Sequence, residues 1–151
     1  MAELVGDFET IRRGDTMAVW LFDICDIYTL EHSTYTTIDE GLQSITEEST
    51  LYFHNLKFDG SYLLDYFGRN GFKWVDESRD VKEPGQMNFL ITDSGIWFCG
   101  VVILKSGIKI RFRDSFKKIP LSDLVEMVMN NEIPDAKTAI AILKADKIVN
   151  G

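Results

Sequence analysis

Polar and apolar positions alternate with a period of two in several separate stretches of the chain, the mark of half-buried strands. In Ile108–Asp114 (IKIRFRD), Ile108, Ile110 and Phe112 alternate with Lys109, Arg111 and Arg113, one face inward and one wet. Leu4–Thr10 reads as a short strand and Met17–Tyr28 (MAVWLFDICDIY) as a second, with Arg12–Asp15 (RRGD) as the turn that makes them a hairpin. Thr34–Ile38 adds a third strand, and Leu51–Phe53 is apolar enough to be a buried one. Met87–Ile91 and Gly95–Leu104 are two more around Thr92–Ser94, with a Ser106–Gly107 turn before Ile108.

Elsewhere the spacing becomes helical. Asp39–Ile45 has an acidic start and Leu42 and Ile45 on one face, and predicts a short helix that Gly41 weakens. Phe58–Phe67 predicts a longer one, with Tyr62, Leu63, Tyr66 and Phe67 on one face and Gly68 or Gly71 ending it. Leu121–Asn130 is helical with Leu124, Val125 and Val128 inward and Ser122 as N-cap. Asp135–Ile148 follows, with Ile140, Leu143 and Ile148 as its apolar positions. Phe72–Gly85 is charged and turn-rich, a surface excursion. Strands interleaved with helices give an α/β class with a mixed sheet flanked by helices. The length of 151 residues gives a single domain, 1–151.

Composition narrows the function classes. No apolar run approaches the roughly 20 residues of a membrane span, and no signal peptide opens the chain. Cys25 and Cys99 are too few for a disulfide framework or a zinc site, so a reducing cytoplasm is expected. A net charge of −8 opposes a bulk electrostatic grip on nucleic acid, but not a local site where metal ions bring the positive charge.

Candidate chemistry sits in two stretches, Gly6–Thr10 (GDFET) and Leu51–Phe67 (LYFHNLKFDGSYLLDYF). Along a strand, Asp7 and Glu9 project together while Phe8 points the other way. That spacing suits a divalent ion needing two oxygen ligands from one rigid element. Asp59, at a strand–helix junction, completes a carboxylate cluster if the helix start abuts the end of that strand. Converging anions raise one another's pKa unless a cation is present. Two metals about 3.5–4 Å apart can activate a water and stabilise the leaving oxygen of a phosphodiester.

GDFET and YFHNLKFDGSYLLDYF resemble the first and second exonuclease motifs of family B DNA polymerases, closest to the protein-primed type of small phages. IKIRFRDSFKKIP resembles the strand and turn that follow them, so the likeness covers residues 4–121 and leaves 122–151 a divergent helical tail. The resemblance implies a ribonuclease-H-like fold and 3′→5′ hydrolysis of single-stranded DNA with two Mg²⁺ or Mn²⁺ ions, in the cytoplasm of a bacterial host. By position, Asp7, Glu9 and Asp59 match the metal-binding carboxylates. Thr10, Tyr52, His54, Asn55, Phe58, Tyr62, Ser115 and Phe116 match positions that hold the single-stranded 3′ end. The last eight also suit that task chemically: aromatics stack on any base, and Asn, Thr and Ser bond phosphate and sugar oxygens.

The chain departs from that pattern in its final third. The family's third motif, Tyr-x-x-x-Asp on a late helix, has no counterpart, because no tyrosine follows Tyr66. The palm and fingers are absent, so no polymerase activity is expected of this chain. Two Mg²⁺ carry four positive charges, and Asp7, Glu9 and Asp59 supply three negative ones. Hydrolysis is therefore expected to be slow or absent unless Asp135 or Asp146 substitutes for the missing acid. The alternative is a non-catalytic descendant that binds single-stranded DNA, or a replication or host protein through its acidic surface.

Overall fold

A computed structural model describes residues 1–91, 97–115, 121–130, 140, 142–144 and 147. The chain divides into two compact units, Met1–Ser115 and Phe116–Gly151, close to where the motif resemblance ends.

The first unit is built on one mixed sheet of eight strands: β1 (Ala2–Arg13), β2 (Thr16–Asp26), β3 (His32–Tyr35), β4 (Ser49–Phe53), β5 (Lys73–Trp74), β6 (Gln86–Ile91), β7 (Trp97–Ile103) and β8 (Lys109–Asp114). Their order is β3-β2-β1-β4-β8-β7-β6-β5. The β1–β4, β4–β8 and β5–β6 pairs are parallel and the others antiparallel, as a mixed sheet requires. Helices α1 (Ile38–Ser44) and α2 (Leu56–Arg69) lie in the connections on either side of β4. The class is α/β, as expected.

The face bearing these helices is held by aromatic rings. Phe8 meets Phe22 edge-on at 4.6 Å between centroids and Phe53 at 5.1 Å. Phe112 continues the row, 6.4 Å from Phe53 and 5.6 Å from Phe89, and Phe67 of α2 packs onto it at 6.0 Å. Such pairs add about 0.5–1.5 kcal/mol each beyond the area they bury. The helix α1 presses so closely on β2 that a Cβ at Gly41 would lie 2.1 Å from the Phe22 ring. Gly41, a weak helix residue by propensity, is therefore a packing requirement. Gly41→Ala is expected to lose about 1–3 kcal/mol by overpacking, where an exposed helical Gly→Ala gains stability. Chemical denaturation measures the difference.

Several boundaries differ from the sequence reading. The first hairpin strand extends to Ala2–Arg13, because pairing carries it past the apolar run, while the second runs Thr16–Asp26 and stops short of Tyr28, where the Tyr28 and Thr29 N–H groups donate to the Asp26 carboxylate in a turn. The third strand ends at Tyr35, and Ile38 opens α1 instead, with the Thr37 side chain accepting from the Glu40 N–H. The helix α2 begins at Leu56 and stops at Arg69, so Gly68 lies inside it and Gly71, with φ +73°, lies just past its end. Within Phe72–Gly85 the chain forms the short β5 and a 3₁₀ turn at Ser78–Asp80, and Val81 is buried. The Thr92–Ser94 turn lies outside the described residues.

In the second unit, α3 runs over Leu121–Met129. Ser122 is thus inside the helix, not its cap. Ile140, Ile142–Lys144 and Lys147 are helical as expected. The apolar face there differs from the one read from spacing: Ile142 is buried, whereas Ile140 and Leu143 are exposed. An Ile-Ala-Ile-Leu run offers two stripes about 100° apart for each residue of offset, and spacing alone does not choose between them. Among the described residues no helix is long and apolar enough to cross a membrane.

Candidate functional site

Strand β1 carries the first two carboxylates as its alternation demands. Gly6 and Phe8 are buried on the helix-bearing face, while Asp7 and Glu9 are exposed on the other. Beside Glu9 the β1–β2 ladder slips: Glu9 pairs with Leu21 and Thr10 with Val19, leaving Trp20 as an extra, half-exposed residue. A bulge of this kind bends the ladder and re-aims its side chains, and bulges gather beside active sites.

Asp59 arrives from α2. The buried positions of that helix are Leu56, Asp59, Gly60, Leu63 and Phe67, a core-facing stripe with one acid among apolar residues. Asp59 is only 3% exposed, and its Oδ1 has no hydrogen-bond partner among the described residues. A buried, unsatisfied carboxylate oxygen costs a fold free energy and calls for a proton or a cation. Burial, and next the charge of Asp7, push the Asp59 carboxyl up to about 7; hydrogen bonding from the backbone N–H groups of Asp59 itself and Phe8 works the other way.

The meeting of α2 with β1 follows from strand lengths. Parallel partner β4 runs alongside β1 only as far as the Gly6–Phe53 pair and then stops. The second half of β1 continues without that neighbour, and Asp59 and Tyr62 of α2 come up to Phe8 just beyond that point. Asp59 thereby reaches the backbone at Phe8 and feels Asp7, although Asp7 and Glu9 project from the face opposite Phe8. Among the described residues, no three His, Cys, Asp or Glu side chains are gathered closely enough to hold a metal ion as they stand. Asp7 and Asp59 are thus coupled, and Glu9 shares the strand face of Asp7.

The other expected residues distribute unevenly. Phe58, next to Asp59, is 48% exposed and meets Tyr62 edge-on at 5.5 Å, while Tyr62 also touches Phe8. His54 and Asn55 are exposed at the start of α2, and Thr10 and Ser115 are half-buried. Tyr52 is buried in the sheet, its hydroxyl 3.3 Å from Glu3 Oε1, toward the far end of β1 from Asp7. Phe116, Asp135 and Asp146 lie outside the described residues. A cavity of about 620 Å³ lies at the opposite end of α2, around Leu42, Tyr66, Phe72 and Leu104, and none of the three carboxylates lines it.

One residue of this region was missed from sequence. Asp114, at the end of β8, accepts a hydrogen bond from the Leu56 N–H at 3.2 Å. It does what an N-cap side chain would do, since Asn55 is left-handed (φ 63°) and makes no side-chain cap. The available signal was an acid directly before the Ser115–Phe116 pair.

No protein-family model matches the chain. Over 122 residues it is 34% identical to the DNA polymerase of Bacillus phage phi29, which covers 76% of this chain and 20% of that polymerase. The DNA polymerase of Bacillus phage Nf is 33% identical over 120 residues, and that of Streptococcus phage Cp-1 is 29% identical over 155, or 92% of this chain. Among solved structures, phi29 DNA polymerase complexed with single-stranded DNA superposes with a TM-score of 0.68 at 26% identity, over 85% of this chain and 23% of that one. The same polymerase complexed with primer-template DNA gives the same values. The chain therefore spans about a fifth to a quarter of the length of the polymerases it matches, and its relatives are the phi29-type phage DNA polymerases.

Proposed function

We propose that residues 1–115 form a 3′→5′ exonuclease-type module of ribonuclease-H-like fold that takes the 3′ end of single-stranded DNA. The observation that carries the reading is Asp59: a nearly buried carboxylate, one oxygen without a hydrogen-bond partner among the described residues, set against the charge of Asp7. An arrangement that repels itself when empty suits a divalent cation. Asp7, Glu9 and Asp59 would hold Mg²⁺ or Mn²⁺, which supplies an activated water and neutralises the leaving oxygen. The chain's own groups do the rest. Phe58, half-exposed beside Asp59, offers a face for base stacking, with Tyr62 bracing it. His54, Asn55, Thr10 and Ser115 place hydrogen-bonding groups along the backbone of the strand.

The second reading, a descendant that binds single-stranded DNA or a protein without cleaving, is favoured by one feature: among the described residues no three His, Cys, Asp or Glu side chains are gathered closely enough to hold a metal ion as they stand. A 3′-labelled single-stranded oligonucleotide incubated with Mn²⁺ separates the two. The wild-type chain is expected to shorten it, and Asp7→Ala/Glu9→Ala to do so at least about a hundredfold more slowly. Identical traces from both would eliminate the nuclease reading, and titration at two salt concentrations would then test binding alone.

A further inference from the structure

We infer that Asp114 is a positioning residue, the clasp that joins the two halves of the single-strand grip; this rests on the single-strand reading above. The two halves are far apart in sequence: His54, Asn55 and Phe58 after β4, and Ser115 after β8. Parallel pairing brings their roots together, because Phe53 and Asp114 are register partners at the ends of adjacent strands. His54 and Ser115 therefore leave the sheet side by side. What fixes the angle at which α2 then departs is not its own cap. Asn55 sits in the left-handed region and its side chain makes no capping bond, so the helix start has no side-chain cap of its own.

The Asp114 carboxylate supplies one from the neighbouring strand through the Leu56 N–H, 58 residues away in sequence. A negative group suits that place, since it faces the positive end of a 14-residue helix. Two residues on, the Phe58 N–H donates to the Asn55 carbonyl at 2.9 Å. Asp114 thus orients the turn that carries Asn55, Phe58 and Asp59.

The sign of the effect on DNA binding is diagnostic. An acid that merely lies near a polyanion hinders binding, so its removal would tighten the complex. A clasp predicts the reverse for truncation and not for the isosteric amide, which keeps an acceptor and loses the charge. Asp114→Ala and Asp114→Asn, each checked for folding by circular dichroism, are titrated with a fluorescent single-stranded oligothymidylate in chelator. Hydrogen exchange is followed at the amides of residues 56–58. Asp114→Ala is expected to bind about tenfold more weakly and to exchange the Leu56 amide at least about tenfold faster. Asp114→Asn should match or exceed wild-type affinity with near-native exchange. Asp114→Ser, too short to reach Leu56, replaces the alanine variant if that one does not fold. Unchanged Leu56 exchange in the truncation overturns the clasp, whatever the affinity. Faster exchange with equal or tighter binding overturns its role in the grip. If the wild-type chain binds no oligothymidylate, the single-strand reading fails, and with it the role in the grip; exchange at Leu56 still decides the clasp.

Discussion

In metal-free buffer, Asp59→Asn will melt at the same temperature as the wild-type chain near pH 4 and clearly higher near pH 8. The direction follows from the Asp59 carboxyl, raised from its ordinary 3.8 to about 7. Below the ordinary value the group is protonated in folded and unfolded chains alike, and it favours neither. Between that value and about 7 the unfolded chain gives up the proton while the folded chain keeps it, so folded stability declines as pH rises. Above that window the loss is complete and constant. The distance between those two values corresponds to about 4 kcal/mol as a ceiling. Relaxation and water reaching the site reduce this to about 2 kcal/mol, or roughly 5 °C for a domain of this size.

Mn²⁺ should reverse the ranking. It is expected to raise the melting temperature of the wild-type chain and leave Asp59→Asn unmoved, because the amide cannot supply the missing charge. Nuclease activity in the same variant is expected to fall by about three powers of ten, near 4 kcal/mol of transition-state stabilisation. A melting curve for Asp59→Asn that tracks the wild type at every pH would remove the idea that this acid is held at a cost.

Phe53→Ala will lose the most stability of any single substitution considered, about 3–5 kcal/mol. Phe53 is fully buried, and its ring lies against Phe8, Phe22 and Phe112. Removing it opens a cavity at the centre of the aromatic row. At about 2–4 °C per kcal/mol, the melting temperature should drop by roughly 6–20 °C. Phe53 is also the last residue of β4, so its side chain seats the junction from which α2 starts. Phe53→Leu, which keeps most of the volume, should cost about 1–2 kcal/mol by refilling the space. Differential scanning calorimetry on the two variants measures both; equal losses would mean that the row is not close-packed at this ring.

Some of this was written in local pattern. The hairpin of β1 and β2, the helix that starts within the HNLKFDG stretch and the alternation of β8 depend on local pattern, and these elements are present where the periodicity predicts them, their ends aside. Boundaries did not, because hydrogen bonding to a partner strand extends a strand beyond its apolar run, as in β1. Gly41 shows the same limit. Its helix propensity argues against α1, and only the approach of the Phe22 ring explains why no larger residue fits.

For the site, residue identity and face were readable along the chain. Asp7 and Glu9 share one side of a strand because strands alternate, and Asp59 falls at a helix start because the surrounding spacing is helical. Their meeting was not readable, since it depends on β4 ending opposite Gly6 and leaving room for α2 beside the rest of β1. The Asp114–Leu56 bond was hidden for the same reason, as two adjacent parallel strands decide it and no local run does. Side-chain chemistry and periodicity are properties of short segments and survive in the linear code. The burial of one carboxylate against another arises when distant segments share a sheet, and strand order and register set it.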